Sequence, residues 1–251
     1  GRDYFASGWT DYNKRIYYNV YDVTSHMQKG TNALGAILSN GWYAGYIGYA
    51  LLVGAEKVNQ YYGDSPLLKA QLELVFEDGS KQVISTDSDW KASTGAVMES
   101  DLLQGETYDA TKEKEDWNQP AFNDAAWDPV QVVADHPKSI LQLYPSNPVR
   151  VVKELPIKTI KKLANGKYLV DFGQNFAGNI RLKIKGKAHD SLIFRYGEML
   201  HPDGTLVTEN LRTARATDTY ILKGAAREEV WSPSFTYHGF QYVEVSGLRE
   251  M

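Results

Sequence analysis

Cysteine is absent from this 251-residue sequence. Disulfide bonds, thiolate nucleophiles and cysteine-based zinc sites are therefore excluded. Basic residues are in the minority, because 27 Lys and Arg stand against 31 Asp and Glu, for a formal net charge of −4. This balance argues against an extended phosphate-binding surface, so we expect no nucleic-acid partner.

Long apolar runs are also missing. No stretch reaches the roughly 20 residues of a membrane-spanning helix, so we expect no membrane segment in this chain. The sequence contains neither the HExxH spacing of a zinc protease, nor a GxSxG nucleophile elbow, nor a phosphate loop. It opens Gly1-Arg2-Asp3 rather than with Met, from which we expect a piece of a longer polypeptide.

The residues that are present follow a β pattern almost throughout. Leu72, Leu74 and Phe76 alternate with other residues, which places them on one face of a strand. Asp78-Gly79 then supplies a hairpin turn, and residues 82–85 form the returning strand. Further short strands are predicted at 180–185, 220–223 and 242–245.

Helical periodicity is not sustained in any window of the sequence. A single helical turn is predicted from Val23 to Gln28, with Thr24 or Ser25 as its N-cap and Gly30 ending it. Short strands separated by frequent turns indicate antiparallel sandwiches or barrels. The fold class is therefore predicted to be all-β, with two antiparallel β-sandwich domains.

The boundary between the two domains is predicted from proline content and charge. Residues 136–150 contain Pro137, Pro145 and Pro148 without clear periodicity, as expected of an extended connection. Acidic side chains outnumber basic ones before this segment, and basic ones predominate after it. We therefore predict a first domain at 1–135, a linker at 136–150 and a second domain at 151–251.

A series of motifs in both halves resembles the bacterial α-L-rhamnosidases, which are inverting glycoside hydrolases. In the second half these motifs are DFGQNFAG (171–178), RYGEML (195–200), ENLRTARATD (209–218) and FTYHGFQYVEV (235–245). In the first half they are GWTDY (8–12), YDVT (21–24), NGWYAG (40–45), GETYDA (105–110) and FNDAAW (122–127). The ordered set covers nearly the whole chain, although only residues 1–7 precede GWTDY, where the family normally has a β-hairpin.

The resemblance implies a jelly-roll or galactose-binding-like sandwich followed by a concanavalin-like sandwich. The family's catalytic domain is an (α/α)₆ barrel that follows these sandwiches, and no helical pattern of that kind occurs here. The expected partner is therefore the C-terminal catalytic barrel of the same polypeptide. We assign no catalytic residue in this chain, and we expect the chain alone to show no hydrolysis of α-L-rhamnosides.

The resemblance also implies a second role, since some N-terminal sandwiches of this family bind rhamnose with the help of calcium. Rhamnose-containing glycans are thus a candidate ligand, because a sugar site needs a ring to stack on and converging polar groups. The candidate carbohydrate-binding residues are Asn40, Trp42, Tyr43, Glu106, Tyr108 and Asp109. Asp101, Glu106 and Asp109 could supply oxygens to a calcium ion. In the alternative interpretation, Trp42 and Tyr43 belong to the core while Glu106 and Asp109 hold a loop.

A third role is docking between domains. Asn210, Arg212 and Arg215 lie in a polar segment after the Asp203-Gly204 turn. Long polar loops between strands are often functional, and Arg makes bidentate contacts with carboxylates. We predict that this segment faces the catalytic barrel. A lectin or adhesion module without any attached enzyme is the alternative from another class of protein.

Overall fold

The protein is an all-β molecule, as the sequence predicts. The computed structural model describes residues 3–47, 57–133 and 139–248. One four-residue helix, α1 (Gly41–Ala44), and three single turns of 3-10 helix are the helical elements of those residues. No helix within the described ranges is long and apolar enough to cross a membrane.

The strands of the described residues are short, except for two near the C-terminal end. In the first half they are β1 (Arg15–Tyr18), β2 (Gln71–Val75), β3 (Lys81–Ser85), β4 (Lys91–Ala92), β5 (Val97–Asp101), β6 (Gly105–Asp109), β7 (Asp128–Pro129) and β8 (Ile140–Leu143). In the second half they are β9 (Thr159–Lys162), β10 (Tyr168–Gly178), β11 (Leu182–Ile184), β12 (Ser191–Gly197), β13 (Thr217–Ile221), β14 (Glu229–Trp231) and β15 (His238–Ser246).

The main sheet has seven strands in the order β5-β6-β13-β12-β15-β10-β9. Its neighbours are antiparallel except at one place, where β6 runs parallel to β13. There Thr107 lies opposite Thr219 and Tyr108 lies opposite Tyr220. Two strands from the first half of the chain thus extend a sheet that is otherwise built from the second half. We call the contact between β6 and β13 the seam.

One face of the main sheet carries the hydrophobic core. Period-two alternation points Leu192, Phe194 and Tyr196 of β12 to this face, and all three are at most 4% exposed. The small antiparallel sheet of β11 and β14 supplies the opposing layer, with Trp231 packed against Tyr220 at a ring separation of 5.1 Å. This two-layer packing is the concanavalin-like sandwich.

The first half outside the main sheet is divided into two-stranded sheets. They are the β2–β3 hairpin, the parallel pair β1–β8 and the pair β4–β7. Side-chain aromatic contacts add to these pairings, as where Trp127 packs on Trp117 and Phe122. Isolated two-stranded sheets are only marginally stable in water, so such packing is needed to hold them.

The β2–β3 hairpin confirms the prediction from alternation and the Asp78-Gly79 turn. The strand predicted at 180–185 is shorter, because its partner β14 offers only three residues. The strand predicted at 220–223 instead runs over 217–221. It ends there because the N–H of Lys223 donates to the Glu229 carboxylate and not to a neighbouring strand.

The predicted helical turn exists as 3-10 helix at Thr24–His26, but its predicted N-cap is wrong. Val23 occupies the cap position, and the side chain of Asp22 accepts a hydrogen bond from the Thr24 N–H. Part of the predicted linker, 136–138, lies outside the described residues. Its residues 140–143 form β8, and the domain limits themselves stay a prediction.

Candidate functional site

The structure separates the six predicted carbohydrate-binding residues into two groups. Asn40 precedes α1, and Trp42 and Tyr43 lie within it. The Trp42 ring lies 5.6 Å from that of Trp9, while Tyr43 meets Tyr12 edge-on at 5.6 Å. These rings are only partly buried, and Trp9 is 43% exposed.

The second group lies on β6, inside the main sheet. Glu106 and Tyr108 share a face of the strand and point to the core, where Tyr108 stacks on Tyr220. Asp109 is buried and accepts hydrogen bonds from the N–H and hydroxyl of Thr111, so it caps the following turn. The carbohydrate-binding role of all six residues remains a prediction.

Glu106 is a buried carboxylate at the seam. Its Oε2 accepts hydrogen bonds from the N–H groups of Ser234 and Phe235, both at 2.9 Å. Its Oε1 has no hydrogen bond of standard geometry, although the indole N–H of Trp231 lies near enough to favour the charged form. Burial raises the pKa of Glu106 to about 7, against the lowering effect of the N–H groups of Phe235, Ser234 and Trp231 and with a smaller raising contribution from the charge of Asp218.

Asp218 of β13 is fully buried beside Glu106 and joins three other segments. Its Oδ1 accepts the Glu106 N–H at 2.8 Å, and its Oδ2 accepts the Tyr196 hydroxyl at 2.6 Å. Nε2 of His238 lies 3.2 Å from both oxygens, and the imidazole stacks on the Tyr196 ring at 4.1 Å. The cluster therefore links β6, β12, β13 and β15.

Glu229 of β14 is a second buried carboxylate, and its pKa is shifted in the opposite direction from that of Glu106. It accepts hydrogen bonds from the N–H groups of Lys223, Gly224 and Ala225 and from the Tyr220 hydroxyl. Burial alone would raise the pKa of Glu229, but these donors together lower it. Glu229 thus holds the turn after β13 as a charged group.

The candidate calcium ligands do not converge. Asp101 accepts hydrogen bonds from the backbone N–H groups of Tyr46, Leu103 and Gln104, which ties the segment after α1 to the β5–β6 turn. Glu106 and Asp109 are occupied as described above. Within the described ranges, no three His, Cys, Asp or Glu side chains are grouped to hold a metal ion. Asp101, Glu106 and Asp109 therefore do not together form a calcium site.

The three predicted docking residues fall in different environments. Arg215 forms an ion pair with Glu99 at 2.8 Å, and its Nε donates to the Gln104 carbonyl. Asn210 and Arg212 are exposed, and neither side chain has a polar partner in the described part of the chain. Arg212 also has φ +56°, a conformation that normally favours glycine.

Two family models match the chain in the order that the motifs predict. The α-L-rhamnosidase N-terminal domain matches residues 1–153, and the bacterial α-L-rhamnosidase concanavalin-like domain matches residues 161–251. The chain belongs to the α-L-rhamnosidase family. The resemblance that was inferred from the motifs is thereby confirmed.

Individual α-L-rhamnosidases are similar in sequence to this chain. One from Streptomyces avermitilis is 45% identical over 248 residues, which is 99% of this chain and 23% of the relative. One from Formosa agariphila is 38% identical, over 98% of this chain and 26% of the relative. The chain thus spans about a quarter of the length of these curated relatives.

Solved structures of α-L-rhamnosidases share the fold. The crystal structure of the Streptomyces avermitilis enzyme complexed with L-rhamnose matches with a TM-score of 0.89 and 41% identity, over all of this chain and 24% of that one. The Dictyoglumus thermophilum enzyme matches with a TM-score of 0.87 and 34% identity, over all of this chain and 27% of that one.

The seam joins regions that match the two separate rhamnosidase family models, because β6 lies in the first and β13 in the second. Sequence reasoning assigned no role to Asp218 or Glu229. The sequence does indicate a role for Asp218. In the alternation of the strand, Asp218 falls on the same core-facing side as Tyr220 and Leu222, and it is the one charged residue of the three. A charged residue at such a position must have buried partners.

Proposed function

We propose that this chain is the non-catalytic N-terminal portion of an α-L-rhamnosidase, and that it supports the catalytic domain of the same polypeptide. That domain would hydrolyse terminal α-L-rhamnosides with inversion. The observation that carries the proposal is the ordered match to two rhamnosidase accessory domains, together with coverage of about a quarter of each relative.

The geometry of the carboxylates supports a non-catalytic role. An inverting glycosidase needs two carboxyl groups about 6.5–9.5 Å apart, with a water and the sugar between them. The buried carboxylates at the seam belong to Glu106 and Asp218, which are 1% and 0% exposed. Both side chains are closed off from solvent, and three of their four oxygens accept hydrogen bonds from the protein itself, so neither is available to a sugar or an attacking water.

An activity assay tests this proposal directly. We expect the full-length protein to release rhamnose from an aryl α-L-rhamnoside, and we expect the 251-residue chain to show no turnover. The double variant Glu106→Gln/Asp218→Asn of the full-length protein separates structural from catalytic roles. Turnover of the substrate by the 251-residue chain would contradict the proposal, and so would loss of turnover in a full-length double variant that keeps the wild-type Tm.

The exposed loop around Arg212 is our candidate for the docking surface. A non-glycine residue at positive φ costs about 1 kcal/mol or more, and such strain persists where surrounding contacts compensate for it. Asn210 and Arg212 present an amide and a guanidinium without polar partners among the described residues. A carboxylate of the catalytic domain would satisfy the guanidinium in the bidentate geometry that Arg favours.

A second candidate function is rhamnoside binding by the first half, calcium-assisted or not. One observation favours it, namely the ring cluster of Trp9, Trp42, Tyr12, Tyr43 and Tyr62 beside Asn40. Trp9 is partly exposed, so one ring face could stack on the apolar face of a sugar. Calorimetric titration of L-rhamnose, with and without calcium, tests this function.

Saturable heat that disappears in Trp42→Ala would support sugar binding at the ring cluster. A dependence on calcium would require ligands other than Asp101, Glu106 and Asp109, since these three carboxylates are not grouped around one point. Absence of heat at millimolar L-rhamnose, with a folded protein, would leave support of the catalytic domain as the function.

A further inference from the structure

The buried cluster at the seam combines features that a purely structural ion pair would not need. The Asp218 carboxylate accepts the backbone N–H of Glu106 and the Tyr196 hydroxyl, and Nε2 of His238 lies 3.2 Å from both of its oxygens. Glu106 is 1% exposed, yet its Oε1 has no hydrogen bond of standard geometry, and the nearby indole N–H of Trp231 is likewise unpaired. Leaving a buried ionised oxygen without a partner is costly, and a bound proton removes most of that cost.

We propose that Glu106, Asp218 and His238 form a proton-linked clasp, which fastens the 97–109 hairpin to the main sheet most firmly at acidic pH. The clasp belongs to this chain's own fold and does not depend on the activity of the whole protein. It lies where the regions matching the two family models join.

The geometry explains why the clasp acts on the hairpin in particular. The backbone N–H of Glu106 is held by Asp218, and its side chain is held by the N–H groups of Ser234 and Phe235. Both attachments bridge more than one hundred residues of sequence. These two attachments add to the backbone pairing of β6 with β13 in holding β5 and β6 at the edge of the main sheet.

The titratable groups of the cluster come from β6, β12, β13 and β15, and Trp231 of β14 also packs beside Glu106. Asp218 approaches from β13, Tyr196 from β12 and His238 from β15, while Tyr108 neighbours Glu106 on β6 itself. The carboxylate of Asp218 opposes a second negative charge at Glu106. The imidazole of His238 is directed at Asp218, with Nε2 3.2 Å from both carboxylate oxygens.

The sign of the pH dependence follows from the raised pKa of Glu106. An unfolded Glu106 returns to its ordinary pKa near 4.5, whereas the folded value is about 7. Between these values the folded state binds the extra proton, so stability falls as pH rises through the window. Below the lower value both states are protonated, and the full contribution of the protonated clasp is present.

Thermal unfolding of the 251-residue chain between pH 5 and pH 8.5 tests the clasp. We expect the wild-type Tm to fall by about 4–8 °C across this range. Glu106→Gln, the neutral isostere, should remove most of that fall and should exceed the wild type in Tm at pH 8. The matched control is Glu229→Gln, which removes a buried carboxylate of lowered pKa and should keep the wild-type slope.

Direct titration of the wild-type carboxyl by carbon-13 NMR keeps the test decisive if a variant fails to fold. A Glu106 resonance that titrates near neutral pH supports the clasp. A resonance that titrates near pH 4.5 or lower overturns it. A pH slope that is unchanged in Glu106→Gln would also overturn it, because the slope would then arise elsewhere in the chain.

Discussion

At the scale of single residues, the seam depends on how closely two backbones approach. Gly105 begins β6 with φ +110°, and a Cβ at this position would lie 2.0 Å from the carbonyl oxygen of Thr217. No side chain fits that space unless β6 moves away from β13. The glycine therefore permits both the turn after Asp101 and the start of the parallel pairing.

We predict that Gly105→Ala lowers the free energy of unfolding of the chain by about 2–4 kcal/mol, which combines backbone strain with overpacking. Gly79→Ala is the matched control, since Gly79 has φ +81° but its added Cβ would meet nothing within 4 Å. It should cost only about 1 kcal/mol. Urea unfolding measures both values, and equal losses would show that crowding at the seam is unimportant.

At the scale of elements, the two arginines of the loop between β12 and β13 have different environments. Arg215 is committed to this chain, because Glu99 and Gln104 of the 97–109 hairpin hold its side chain. Gln104 also donates to the Thr213 carbonyl and accepts from the Arg215 N–H. Arg212, three residues earlier, has none of these contacts.

We predict different outcomes for the two arginines. Arg215→Ala should destabilise the 251-residue chain by about 0.5–1 kcal/mol, the value of a partly exposed ion pair with additional hydrogen bonds. Arg212→Ala should leave the chain unchanged and should lower the Tm and the rhamnosidase activity of the full-length protein. The control variant is Arg181→Ala, which also removes an exposed arginine but from a different ion pair, that of Arg181 with Glu154.

Unfolding of the chain and activity of the full-length protein are the two measurements. Full-length Arg212→Ala with wild-type Tm and activity would show that the loop does not dock. The same result for Arg215→Ala alone would leave the docking proposal intact, because Arg215 already has partners within the chain.

Elements formed by local pairing could be predicted from sequence, and those formed by distant pairing could not. Alternation around Leu72 and the Asp78-Gly79 turn act within a few residues, so the β2–β3 hairpin was predicted correctly. For Glu106, the sequence instead predicts a ligand for sugar or calcium. Its partners at 218 and 234–235 are set by a parallel pairing that no local pattern encodes. The motifs predicted the family, whereas the roles of individual residues within them required the contacts.

At the scale of the whole molecule, the main sheet crosses the predicted boundary between domains. The hairpin of β5 and β6 lies in the predicted first domain, yet it completes a sheet formed by residues 159–246. Removing it would expose the edge of β13, uncover Tyr220 and Trp231 where Tyr108 packs, and deprive Asp218 of one donor. Exposed strand edges and uncovered core surface favour aggregation.

We therefore predict that a fragment of residues 151–251 will not fold to a stable state, although it contains the whole concanavalin-like family match. A fragment of residues 95–251 retains the hairpin, and we expect it to unfold cooperatively with dispersed amide resonances. Circular dichroism and proton–nitrogen NMR spectra of the two fragments make the comparison. Cooperative unfolding of 151–251 at the midpoint of the longer fragment would mean that the hairpin is an accessory to the sheet. Aggregation of the short fragment alone would mean that the two family domains fold as one unit, with the seam as their shared core.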